Sequence, residues 1–279
     1  MKKHLPKLIS FLSIFAPTLA AKFALKMFAT PIRVPRPESE MEMFHISKQY
    51  FLKSGIAAFE WESHDKNPEA PVVLLIHGWN GRGTQISAFA KNLVERNFRV
   101  IALDGPGHGS SPGAMTSPTH YAKFIIDSQN EIAPNGVHSV IAHSFGGGCL
   151  VLAASRGLKT KSLVLVASPA FYDRVVDFFA KSFGLKTEKS KANFIEMVTK
   201  FAGLAPKELN IGLIGSELKL PALVVHDEGD NAVNYLSAKA IIDAWPGTKL
   251  ITTSGLGHRR ILKDPHVLSE VAEFIGGIP

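Results

Sequence analysis

The residues best equipped for chemistry surround Ser144. It stands in Ala142-His143-Ser144-Phe145-Gly146-Gly147-Gly148, between an apolar run (Val137 to Ala142) and a second apolar run beginning at Cys149. A serine placed between strand and helix, with small residues packed close by, has its hydroxyl lifted clear of the backbone while the following N–H groups aim at the same point. Three successive glycines also suit a phosphate-binding turn or a tight packing contact. As a nucleophile the hydroxyl needs a base, and the base needs a third group to fix its tautomer. Besides His266, only His226 and His258 follow Ser144. His226 ends an apolar run, whereas His258 lies in the glycine-flanked loop Gly255-Leu256-Gly257-His258-Arg259-Arg260, the better place for a mobile base. Asp227, Glu228 and Asp230 compete as the acid. Asp230 is favoured because it lies past Gly229, where a side chain can turn back toward the histidine loop. Asp227 is nearly on the strand and reads as a turn-former, and Glu228 as a solvated residue.

Two further loops carry unusual residues. His77-Gly78-Trp79-Asn80-Gly81-Arg82-Gly83 follows the apolar run Val72 to Ile76. It is placed to give the Trp79 backbone N–H to an oxyanion, beside the N–H of Phe145. Asp104-Gly105-Pro106-Gly107-His108-Gly109 reads as a structured turn, and His108 precedes the serine, which argues against its being the base.

The elements that must position these loops begin with an early strand, Ile56 to Trp61, and continue as short, largely apolar, β-branched runs: Val72 to Ile76, Val100 to Leu103, Val137 to Ala142, Leu163 to Ala167, Ala222 to Val225 and Leu250 to Thr252. Continuous rather than alternating apolar runs suit strands buried on both faces of a parallel sheet. Helical patterns alternate with them, over Ile86 to Arg96, from Pro118 behind a Ser117 cap, and from Pro265 behind an Asp264 cap. The chain is therefore α/β. Between Pro169 and Pro221 helical signals recur without a strand, which predicts a cap at about 170–220 or, alternatively, a long two-helix crossover.

Composition narrows the function classes. With 279 residues, 46% hydrophobic and 20% charged, the chain can bury a sizeable core and is not a disordered segment. Its single cysteine, Cys149, rules out an intramolecular disulfide and a cysteine-rich zinc site. The 11 histidines show no metal-ligand spacing, so neither a metal nor another cofactor is expected. A net charge of +7 suggests nucleic acid at first sight. Its location argues otherwise: residues 1–36 hold Lys2, Lys3, Lys7, Lys22, Lys26, Arg33 and Arg36 and no acid, leaving 24 basic against 24 acidic residues in 37–279. No basic stripe crosses the body, and nucleic acid is not an expected partner.

The arm, residues 1–36, admits three readings: an amphipathic segment on the protein or a membrane surface, a signal peptide ending near Thr18-Leu19-Ala20, or a membrane span. Pro6, Pro17, Lys22 and Lys26 interrupt the last. If the arm packs on its own body, Phe15, Leu19, Phe23 and Phe28 are the expected contacts. The corresponding location is cytoplasmic with membrane-surface contact through residues 1–36, and export is the alternative.

Taken together, H-G-W, D-x-P-G-H-G-x-S, the serine elbow, the late aspartate and G-L-G-H-R-R-I-L resemble the α/β-hydrolase superfamily, from about Ile56 to the C-terminus. The resemblance implies a mostly parallel eight-stranded sheet, a Ser144–Asp230–His258 triad, and hydrolysis of a small carboxylic ester or thioester. Ala142 departs from the usual G-x-S-x-G. Ser144 argues against the members that use aspartate at the elbow. An acyltransferase, lyase or carbon–carbon hydrolase on the same fold, and a catalytically silent binding module, are the rival readings. Trp79, Phe145, Phe171 and Phe178 are the expected apolar surroundings.

Overall fold

The computed structural model describes residues 5–279; Lys2 and Lys3 of the basic arm lie outside them. Eight strands form one sheet: β1 (Lys48–Phe51), β2 (Ala57–Trp61), β3 (Val72–Ile76), β4 (Arg99–Leu103), β5 (Val137–His143), β6 (Thr160–Val166), β7 (Ala222–Asp227) and β8 (Lys249–Thr253). Their order is β1-β2-β4-β3-β5-β6-β7-β8. The pairs β1–β2 and β2–β4 are antiparallel, and every later pair is parallel. The order reverses around β3, and β5, which leads to Ser144, lies beside it in the middle of the sheet.

Twelve helices accompany the strands among the described residues: α1 (Leu5–Phe15), α2 (Pro17–Ala29), α3 (Met41–His45), α4 (Ala88–Val94), α5 (Pro118–Ile132), α6 (Phe145–Ala154), α7 (Tyr172–Ser182), α8 (Glu188–Ala202), α9 (Ile211–Ser216), α10 (Leu236–Ala244), α11 (Gly257–Arg260) and α12 (Pro265–Gly276). The helix expected to begin at Ile86 instead opens with a 3₁₀ turn at Gly83–Ile86. Alternation along each strand sends side chains to opposite faces. On β3, Leu74 and Ile76 join a core under α5, α6, α9 and α10, while Val73 and Leu75 join a second core under α4 and α12. Both faces being covered explains why the central strands are mostly apolar, β3 throughout.

Helices α7, α8 and α9 fill the interval between β6 and β7. The arm folds onto them. Ala20, Ala21 and Ala24 of α2, with Ile9 of α1, pack against Val176, Ala180, Phe194 and Val198. Ser13 O accepts from Thr187 Oγ1 at 2.8 Å, and Thr18 Oγ1 accepts from Asn193 Nδ2 at 3.0 Å. Phe28 meets the rings of Phe179 and Phe194. Phe15, Leu19 and Phe23, however, are exposed, which corrects the packed face expected from sequence. The alanines win because small side chains let two helices approach closely.

Candidate active site

Four loops meet at the carboxyl ends of β3, β5, β7 and β8, where ligands bind on open parallel sheets. Ser144 sits between β5 and α6 with φ 53° and ψ −123°, a positive φ unusual for a residue with a Cβ. The turn is tight enough to fix its neighbours. A Cβ on Gly146 would come within 2.6 Å of the His77 carbonyl oxygen, so only glycine fits where the elbow passes the β3 loop. Phe145 is the first residue of α6, so its N–H has no acceptor within the helix and points toward the turn. Trp79 follows Gly78, whose Cα lies so near the elbow that an added Cβ would be 2.9 Å from Ser144 Cβ.

His258 Nε2 lies 3.1 Å from Ser144 Oγ, and His258 Nδ1 lies 2.7 Å from Asp230 Oδ2. With Nδ1–H donating to the carboxylate, Nε2 is left to accept the serine proton. Asp230 is held as an anion. Burial pushes its carboxyl up, but His258 and the backbone N–H groups of Val233 and Ala232 outweigh this and hold it below the usual carboxylate range. Those two N–H groups donate to Asp230 Oδ1 at 2.9 and 2.8 Å. His226 does not reach Ser144: it is buried beside Asp230, its Nε2 3.5 Å from Oδ2, and its Nε2–H donates to the Val233 carbonyl at 2.9 Å. Asp227 has a different task. It accepts from Thr253 Oγ1, Leu256 N and Gly229 N, tying the end of β7 to β8 and to the histidine loop.

Asp104 ties its own turn to the loop after β3: Oδ1 accepts from Gly83 N at 2.6 Å and Oδ2 from Ser110 N at 2.8 Å. His108 lies against His77 and Trp79, and burial lowers its imidazole to about 3. The ring of Phe145 meets Trp79, Tyr121 and Tyr172. Phe171 is half-buried under Arg174, but Phe178 is exposed on α7 and cannot serve as a wall.

Three supporting residues escaped the sequence reading. His143 Nε2–H donates to the His258 carbonyl at 3.0 Å, and its ring stands 4.7 Å from the His258 ring. Burial lowers its imidazole to about 3, so it is neutral. Tyr172 Oη donates to the Phe145 carbonyl at 2.6 Å, and Tyr121 Oη donates to the His77 carbonyl at 3.2 Å. Each braces the backbone of a loop beside Ser144. Only the position of His143, one residue before the serine at the strand end, could have hinted at this.

A family model described as the alpha/beta hydrolase fold matches residues 71–194. A solved structure titled a membrane phospholipase A, a bacterial virulence factor, superposes with a TM-score of 0.65 at 18% identity, covering 100% of this chain and 99% of that one. The chain has the α/β-hydrolase fold. Proteins with sequence similarity to this chain include the dihydrolipoyllysine-residue acetyltransferase component of the acetoin cleaving system of Cupriavidus necator, 29% identical over 52% of this chain. The match spans only 39% of that relative. A carboxylesterase of Bacillus subtilis is 24% identical over 61% of this chain and 76% of its own length. Within the α/β-hydrolase fold, Ser144, Asp230 and His258 occupy the ends of β5, β7 and β8 respectively.

Proposed function

We propose that the protein is a serine hydrolase that cleaves a carboxylic ester or thioester through an acyl-enzyme on Ser144. The observation that carries this reading is the unbroken relay from Ser144 Oγ through His258 to Asp230, at 3.1 and 2.7 Å. His258 Nε2 takes the hydroxyl proton as Ser144 Oγ bonds to the carbonyl carbon. The N–H groups of Trp79 and Phe145 hold the oxyanion, and each such donor is worth ~10²–10³ in rate. Collapse breaks the bond to the leaving oxygen or sulfur, which departs with the proton from His258. Water then attacks the acyl-enzyme, gives its proton to His258, and the carboxylic acid leaves as Ser144 is reprotonated. Asp230 keeps His258 in its working tautomer throughout.

A domain division follows: residues 1–36 form an arm, and residues 37–279 form the hydrolase body with a cap at about 170–220. Tyr172, at the start of the cap, is bonded to the elbow residue Phe145, which supports a cap seated over the serine. Similarity to a carboxylesterase favours an ester among the acyl substrates. The small Trp79–Phe145 cluster suits a modest apolar acyl group.

The test is labelling by a fluorophosphonate probe, paired with hydrolysis of a panel of p-nitrophenyl esters and acyl thioesters. Wild type labels and turns over; Ser144→Ala does neither above the ~10³–10⁴ over water that an oxyanion hole alone supports. A wild-type protein that neither labels nor hydrolyses any of the panel is a binding module instead.

A further inference from the structure

The arm turns its alanine face to α8 and leaves its large side chains outside. On α1, Leu8, Phe11, Ile14 and Phe15 are 48, 58, 54 and 71% exposed; on α2, Leu19 and Phe23 are 44 and 38% exposed. The rings of Phe11 and Phe15 lie 4.9 Å apart, two neighbouring aromatics with one side unpaired. Folded chains rarely expose a concentration of apolar surface of this kind without using it.

Length and charge together say what covers it. The helices have 11 and 13 residues, and no helix of the described residues is long and apolar enough to cross a membrane. A segment that cannot span a bilayer can still lie in its surface. Lys22 and Lys26 are exposed beside Leu19 and Phe23 on α2, and Lys7 is exposed beside Leu8 on α1. Such stems reach alongside buried apolar groups while their ammonium heads stay at headgroup level. No acid precedes Glu38 in the chain. A second copy of this chain is a poor occupant, because a two-fold contact sets the patch against itself and would oppose these lysines with no carboxylate of the arm to neutralise them.

We propose that the exposed face of α1 and α2 docks on an anionic lipid bilayer, lying in its surface with Phe11, Phe15, Leu19 and Phe23 inserted. Because the hairpin is hydrogen-bonded to α8 and to the turn before it, docking orients the whole body and does not leave it on a loose tether. At the end of α2, Ala29 O accepts from Thr116 N, and just beyond it Ile32 N donates to Asn80 Oδ1, one residue from Trp79. The chain leaving the docked helices is thus tied to the loop that carries Trp79. Binding itself is independent of the hydrolase reading.

The experiment is co-sedimentation of the full chain with vesicles of phosphatidylglycerol and phosphatidylcholine, compared with phosphatidylcholine alone. Wild type is expected to pellet with the anionic vesicles and to be released as salt rises. Lys22→Ala with Lys26→Ala should weaken partitioning about 25-fold, from about fivefold per lysine. Phe11→Ser with Phe15→Ser should weaken it at least about tenfold. Both double variants should keep the wild-type melting temperature and the wild-type rate, whatever it is, on a soluble p-nitrophenyl ester. Three results overturn the proposal: no pelleting of wild type, undiminished pelleting of the phenylalanine variant, or a concentration-dependent wild-type dimer in ultracentrifugation that the phenylalanine variant abolishes.

Discussion

Gly78→Ala tests the oxyanion side of the site through a single methyl group. The new Cβ would sit 2.9 Å from Ser144 Cβ and 3.1 Å from both the His143 carbonyl oxygen and its Nδ1. Carbon atoms rest at about 3.5–4.0 Å, so the loop must retreat by roughly 0.6 Å or more. Nothing nearby gives way cheaply: Ser144 and His143 are held at the end of a central strand, and Ser144 N donates to the Val166 carbonyl at 2.8 Å. Retreat carries the Trp79 N–H away from the developing oxyanion. Displacements of this order cost about 10²-fold in rate. The loss should appear in kcat with KM nearly unchanged, since the lost interaction belongs to the transition state. Overpacking should also cost about 1–3 kcal/mol, lowering the melting temperature by about 2–12 °C. Steady-state kinetics on a p-nitrophenyl ester well below that melting point separates the two effects. Gly276→Ala, whose Cβ would meet Arg96 Cδ at an ordinary 3.8 Å, is the control and should change neither. If Gly78→Ala keeps kcat within about threefold, the loop does not supply an oxyanion donor.

Asp230→Asn and Asp227→Asn should part company. The first replaces the carboxylate that fixes the His258 tautomer and should lose up to ~10⁴ in kcat; the second disturbs the ties to Thr253 and Leu256, so its larger effect should be on thermal stability, and equal mild losses in both would place the acid elsewhere. Stability should also fall on mild acidification. Burial lowers the imidazoles of His77 and His143 to about 4 and about 3, whereas the unfolded chain protonates them near 6.5. The unfolded state then binds more protons below pH ~6.5, so this stabilisation is complete above that value and is lost as pH drops toward the folded values. Each histidine accounts for about 2 kcal/mol by about pH 5, on an order-of-magnitude basis. Urea midpoints at about pH 5 and about pH 8 that coincide would contradict this account.

Much of the fold could be read from the chain because burial on both faces writes strands as mainly apolar runs. Val72 to Ile76 and Val137 to Ala142 are nearly the observed β3 and β5. Strand β1, Lys48–Phe51, has no such signature: it is an edge strand, largely exposed, and pairs with β2 alone. The relay residues were legible because glycine-flanked polar residues stand out directly after apolar strands. Their supports were not. His143, Tyr121 and Tyr172 act through backbone carbonyls 115, 44 and 27 residues away, and such a contact leaves no mark on local spacing. On the arm the large apolar residues suggested a buried face, but close helix packing selected the alanines.

The docking of the arm has a consequence for synthesis. Ser13 and Thr18 find their hydrogen-bond partners 174 and 175 residues later in the chain. At ~5–20 residues per second, translation leaves a gap of roughly 10–35 s between the arm and α8. Through that interval Ile9, Ala20, Ala21, Ala24 and Phe28 lack the α7 and α8 surfaces they finally bury against. The arm is made well before the helices that seat it, so the nascent chain carries both an apolar inner face and an apolar outer face. A ribosome-associated chaperone or a nearby bilayer can engage either one before α7 and α8 exist to compete for the first.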